Sequence, residues 1–264
     1  MSAVPEQKEK KAGPPGGGIS RDGIKMIAMV TMLLNHCSAI FMEETDILGI
    51  VLIDVGYFTA ITMCYFLVEG YFYTRSKVKY STRLLVTAVI SQIPYSLAFA
   101  EGDVFRSTNL NMLFTLWLCF LMLCVLDSPV SPAFTQAAVA ALVFLTIFCD
   151  WAIFAAMFTL LFWWAKDAEE KKKKAFFWAV LSFGIFISLD KYLLMAEKGA
   201  VAGILSSLLF GAGAAAGPAA AGICLLHCYN KQRIKRGKRF FQWFFYLFYP
   251  VHLTILGILR IYWT

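Results

Sequence analysis

Arg21-Asp-Gly-Ile-Lys25-Met-Ile-Ala-Met-Val-Thr-Met-Leu-Leu-Asn35-His36-Cys-Ser-Ala-Ile-Phe41 is the stretch that decides the fold. A lysine stands at the head of an apolar run long enough to cross a ~30 Å hydrocarbon core as a helix. A histidine lies eleven residues further on, roughly 16 Å away at 1.5 Å per helical residue. Hydrocarbon makes an ionisable side chain costly to keep, so an imidazole within such a run is a candidate functional group. Similar runs recur along the chain, and nine spans are expected, at roughly 24–42, 47–72, 83–100, 109–126, 132–149, 151–165, 175–193, 199–228 and 240–261.

The composition agrees with this class. Of 264 residues, 59% are hydrophobic and only 16% charged, against about 25% charged in soluble domains. The expected fold is therefore all-α: a polytopic helical membrane bundle of about nine transmembrane helices, occupying residues 19–264 as one domain. Residues 1–18, polar and rich in Pro and Gly, read as a disordered cytoplasmic tail. The net charge of +7 does not imply nucleic acid, because the basic residues lie in short connectors. With the N-terminus cytoplasmic, 20 of the 24 Lys and Arg fall on the inner side, leaving Arg106, Lys191, Lys198 and Arg260 outside. That bias follows the positive-inside rule and places the C-terminus extracytoplasmic. The seven cysteines lie in or beside the spans and read as small packing residues. Cys224-x-x-His227-Cys228 lacks a second ligand pair, so no metal is expected. Gly213-x₃-Gly217 followed by Pro218 reads as a close helix-packing seam, and the aromatic run Phe240–Tyr249 as an interfacial belt.

Depth along the spans selects the candidates for chemistry. His36 and His252 lie about 20 and 18 Å from the inner ends of the first and last spans, so two imidazoles share one level. Asp54 and Asp150, toward the outer ends of their spans, are candidates to hold an imidazole tautomer. Gln92, Tyr95 and Asn111 gather in the same outer half, beside Asn35. Glu69 lies toward the inner end of its span near Arg75, where an ion pair or a substrate entrance is expected. Arg21, Lys25, Arg75 and Arg83 line the inner face. Lipid headgroups account for most such charges, but Lys25, inside the helical pattern, is placed to bind phosphate.

Several stretches resemble the TraX family, named for a conjugal-transfer protein that acetylates pilin. They are Lys25 to His36, Phe66-Leu-Val-Glu69-Gly70-Tyr-Phe-Tyr-Thr74-Arg75, Arg83 to Phe99 around Gln92 and Pro94-Tyr95, Asn111 to Leu116, Cys149-Asp150-Trp151 and Phe248-Tyr249-Pro250-Val-His252. Asn35 departs from the family pattern, which has Asp before the first histidine. More distantly, Lys25-x₁₀-His36 resembles the basic-residue-x₁₀-His pattern of membrane acyltransferases that modify cell-surface sugars. Both resemblances imply transfer of an acetyl group from cytosolic acetyl-CoA to an extracytoplasmic acceptor, a pilin-like peptide N-terminus, glycan or lipid, at the bacterial cytoplasmic membrane. Acyl transfer needs a base near neutral pKa to deprotonate the attacking amine or hydroxyl, and either histidine suits that role. The alternative is a proton-coupled transporter using His36, His252, Glu69 and Asp54.

Overall fold

The computed structural model describes residues 17–43, 45–99, 109–195, 200–234 and 237–263. Most of the proposed tail lies outside them, as do Arg106 and Lys198. Among these residues nine α-helices follow one another: α1 (Arg21–Phe41), α2 (Ile47–Tyr73), α3 (Lys77–Phe99), α4 (Met112–Leu126), α5 (Pro132–Leu145), α6 (Ala152–Trp164), α7 (Glu169–Met195), α8 (Ala200–Ile223) and α9 (Lys238–Trp263). A 3₁₀ turn extends α5 over Thr146–Phe148, and a π turn closes α8 over Cys224–Cys228.

Local chemistry sets the helix ends. Ser20, Asp46, Asn111 and Ser131 each turn a side-chain oxygen onto an amide of the following helix, satisfying one of the donors a helix start leaves free. Glu169 and Glu170 open α7, each paired with the lysine three residues on. Carboxylates there complement the positive end of the helix dipole. This is why α7 begins at Glu169, six residues before the apolar run expected from 175.

Five of the helices, or α8 together with its π turn, are long and apolar enough to cross a membrane: α1, α2, α7, α8 and α9. The expectation of nine spans is met only in part. α4, α5 and α6 have 15, 14 and 13 residues, roughly 20–23 Å each, and α3 carries Lys77, Lys79 and Arg83 on its first two turns.

The central helix is α2, packed against α1, α4, α6 and α8. It is apolar on every side, as a helix surrounded by others must be. The main core joins Ile61, Phe66 and Tyr71 of α2 to Phe120 of α4, Phe158 of α6 and Phe183 of α7. The Gly213/Gly217 stripe is the expected seam: a Cβ on Gly217 would stand 2.2 Å from the Asp54 carbonyl oxygen of α2. Neither Pro218 nor Pro250 breaks its helix. α9 packs against α3 and α1, bringing the first and last helices side by side.

The connectors gather at two ends of the bundle. At one, Ile19 pairs with Tyr229, Lys231 meets Glu169 at 2.9 Å, and Lys77 meets Asp127. At the other, Leu110 pairs with Cys149, Ser38 donates to the Gly49 carbonyl, and Arg260 donates to the Ala98 carbonyl. The first end is the strongly basic one.

Candidate functional site

A cavity of about 440 Å³ runs from the basic end into the bundle between α1, α2, α3, α4 and α9. Its mouth carries Arg21, Lys25, Arg75, Arg83 and Arg233, with Asp22 among them. Its deep end is formed by His36, Tyr57, Met112, Asp150, Trp151 and Tyr249. Lys25 and His36, paired by spacing in the sequence, thus line one cavity.

At the deep end the two histidines meet. His36 Nδ1 lies 2.9 Å from His252 Nε2, with the rings only 9° from parallel. His252 Nδ1 lies 2.7 Å from the main-chain carbonyl of Phe248, one turn earlier in α9. A carbonyl oxygen can only accept, so Nδ1 of His252 carries a hydrogen and, in the neutral ring, Nε2 is the acceptor. His36 must then donate from its own Nδ1. Its Nε2 then keeps the free lone pair, and His36, unlike His252, lines the cavity. His252 is 5% exposed, and the ring of Phe99 stands edge-on to His36 at 5.2 Å. One helix carbonyl therefore sets the tautomer of both rings.

The expected carboxylate partners of the imidazoles are elsewhere. Asp54 faces the α2–α8 seam, where a Cβ on Gly213 would stand 2.5 Å from its Oδ2. Asp150 does line the cavity, but its Oδ1 accepts from the Trp151 amide at 2.9 Å and its carbonyl from the Thr115 hydroxyl. Trp151 adopts φ 57° in this turn, a left-handed conformation uncommon for a large side chain. Asn35 lines the cavity and donates to the Ile53 carbonyl at 2.9 Å rather than to His36. A Cβ on Gly56 would collide with Asn35, so α1 and α2 approach closely there.

Four other residues read as pocket groups are structural. Glu69 pairs with Arg21 at 3.4 Å, not with Arg75, and accepts from the Tyr229 hydroxyl at 2.9 and 3.1 Å. Two buried partners far apart in sequence, Arg21 and Tyr229, hold it, which sequence distance conceals. It borders a separate, smaller cavity with Lys166, Lys172 and Lys231. Asn111 is fully buried, capping α4 and donating to the Ala88 carbonyl and to Gln92 Oε1. Gln92 also donates to the Asn109 carbonyl at 3.1 Å. Together these two amides fasten the connector before α4 to α3. Tyr95 packs on Phe99 at 5.0 Å, outside the cavity lining.

At the mouth, Lys25 lies over the rings of Phe245 and Phe66 at 5.0 and 5.8 Å. No carboxylate among the described residues is within ion-pair distance of it. Arg83 bonds the Tyr246 hydroxyl at 3.4 Å. Arg21 lines the cavity but is engaged by Glu69 and by the Phe66 carbonyl. Sequence alone does not single out Arg233, Tyr246 and Tyr249 as lining residues. Arg233 reads as topological charge, and the tyrosines as membrane belt. In the structure Phe240, Trp243 and Leu247 face outward while Phe245, Tyr246 and Tyr249 line the cavity. The helical spacing of 245, 246, 249 and 252 was the available signal.

Apolar helices of this length around an internal polar cavity define a helical membrane protein with a buried site. The sequence profile described as TraX protein matches residues 20–260, and the chain belongs to that family. It is also 33% identical over 246 residues to the probable fimbrial assembly protein FimC, serogroup H1, of Dichelobacter nodosus, an alignment covering 88% of this chain and 92% of that one. No solved structure matches.

Proposed function

We propose that the protein is a membrane acetyltransferase. It takes an acetyl group from cytosolic acetyl-CoA and places it on an amine or hydroxyl of an extracytoplasmic acceptor. The observation that carries this reading is the His36–His252 hydrogen bond at 2.9 Å, anchored on the Phe248 carbonyl and leaving one basic nitrogen at the end of a cation-mouthed cavity. The TraX resemblance and the fimbrial assembly relative agree with it.

Lys25, Arg75, Arg83 and Arg233 supply positive charge for the phosphates of CoA. The ~16 Å between Lys25 and His36 matches an extended arm reaching from mouth to dyad. His36 Nε2 takes the proton of the attacking amine or hydroxyl, and the hydrogen bond to His252 stabilises the imidazolium that forms. His36 then protonates the departing thiolate. His36 is the base and His252 the positioning residue, because His36 alone of the two reaches the cavity. The basic end is cytosolic in this reading, and the acceptor approaches from the other face of a bacterial cytoplasmic membrane.

The transporter reading needs His36, His252, Glu69 and Asp54 on one path. Of these only His36 lines the cavity, with Glu69 ion-paired and Asp54 in a packing seam.

The test is thiol release from acetyl-CoA by purified protein, with a synthetic free-amine peptide and a disaccharide as trial acceptors. Acetylated product from either acceptor is expected, with release lost in His36→Ala while the protein remains folded. Full activity in that variant would sink the assignment. Lys25→Ala and Arg233→Ala should each raise KM for acetyl-CoA, more at low salt than at high.

A further inference from the structure

Among the described residues four buried side-chain atoms lack a hydrogen-bond partner: Arg21 Nε, Thr62 Oγ1, Ser91 Oγ and Tyr249 Oη. Arg21 has its ion pair with Glu69. Thr62 and Ser91 do not line the cavity. Tyr249 does line it, although the residue is only 6% exposed. A buried polar group without a partner is destabilising, and natural proteins leave few of them. One at a cavity wall marks a place where a bound molecule completes the bond.

The position of this hydroxyl is specific. Tyr249 precedes His252 by three residues on α9, with ring centroids 5.6 Å apart, so the two share a helix face. Tyr249 packs in one cluster with Tyr95, and Asp150 and Met112, the residue that opens α4, line the same cavity wall. Asp150 already accepts from the Trp151 amide, and the start of α4 contributes the positive end of a helix dipole. The phenol O–H and the helix N-terminus favour a developing negative charge, against the nearby Asp150 carboxylate, whose Oδ1 is held by the Trp151 amide.

We infer that the Tyr249 hydroxyl donates a hydrogen bond to the thioester carbonyl oxygen and to the oxyanion that forms from it. This rests on the acetyltransferase reading. The acceptor nitrogen or oxygen bonds to the carbonyl carbon while its proton passes to His36 Nε2. The carbonyl π pair moves onto the oxygen, which Tyr249 stabilises without giving up its proton. The intermediate collapses, the C–S bond breaks, and the thiolate takes the proton from His36. Acetyl thioester and acceptor are consumed; acetylated acceptor and free thiol are produced.

The experiment compares Tyr249→Phe with Thr62→Val, using thiol release from acetyl-CoA with the free-amine peptide or disaccharide, and thermal unfolding in detergent. Loss of one oxyanion donor lowers kcat by about 100-fold. KM for acetyl-CoA should stay within about twofold, because the interaction strengthens only in the transition state. Unfolding temperature should not fall in Tyr249→Phe, since an unpaired hydroxyl has been removed. Thr62→Val, which removes another unpaired buried hydroxyl, should keep wild-type kcat. An unchanged kcat in Tyr249→Phe, or a lowered unfolding temperature there, would overturn the role of the hydroxyl and leave the His36 assignment standing. A wild-type protein that releases no thiol would overturn both.

Discussion

Replacing His252 by Phe is the perturbation that most directly interrogates the dyad. Phe retains an aromatic ring against Phe248, which already stacks on His252 at 4.8 Å, but offers His36 Nδ1–H no acceptor. A buried donor left unsatisfied costs about 1–3 kcal/mol. The imidazole relieves this by shifting its hydrogen to Nε2, toward the cavity, and that shift removes the lone pair the reaction needs. At 1.4 kcal/mol per factor of ten, the productive tautomer falls roughly 5- to 150-fold, and kcat/KM should fall with it. His36→Ala should lose all enzyme-dependent rate. His252→Gln should recover part of the His252→Phe deficit, because an amide oxygen can accept from Nδ1–H. Acetyl-CoA thiol release measures the rates, and nitrogen-15 shifts of labelled histidine report the tautomer independently of activity. Undiminished kcat/KM in a folded His252→Phe protein would refute the reasoning, as would an Nε2-protonated His36 in the wild type.

Glu69→Ala leaves the buried Arg21 guanidinium without its charge partner, at a cost of about 3–5 kcal/mol. Thermal unfolding in detergent should drop by roughly 6–20 °C, and Glu69→Leu combined with Arg21→Met should restore much of it. Gly217→Val forces a side chain into the Asp54 carbonyl, so α2 and α8 should separate and folded yield on size-exclusion chromatography should collapse. Asp127 accepts from Lys77 and from Tyr71 at 2.9 Å, and these bonds hold its carboxyl below the usual carboxylate range. A depressed folded pKa gives stability that is complete above about pH 4 and is lost as pH falls through the lower folded value. The pair is half exposed, so the effect is under about 1 kcal/mol. Asp127→Asn should flatten that part of an acid-unfolding curve.

The helices were legible in the sequence because an apolar run of fixed length has one stable solution in lipid. The matched depth of His36 and His252 was legible too, since rise per residue is constant and both are counted from the basic end. Their contact was not, because it depends on α1 lying beside α9, an adjacency that no local pattern encodes. The polar residues Gln92, Asn111 and Glu69 misled for one common reason: a polar side chain among apolar helices reads as a site, yet these cap a helix, fasten a connector or neutralise Arg21. Asp54 was placed at about the right depth but on the wrong face. Arg233 and Tyr249 were hidden in the opposite way, within a charge run and an aromatic run whose ordinary explanations suffice until one side of α9 is seen to face inward.

The joining of α1 to α9 has a consequence for synthesis. His36 leaves the ribosome among the first helices, and His252 and Tyr249 with the last. Until α9 is delivered, His36 Nδ1–H has no His252 to receive it, and the cavity lacks the wall that Phe245, Tyr246 and Tyr249 supply. On the proposed acetyltransferase reading, a nascent chain at the membrane therefore carries the cations of the mouth before it can carry out transfer. That reading makes acetyl transfer the final event of assembly, and products that end before residue 252 should release no thiol from acetyl-CoA.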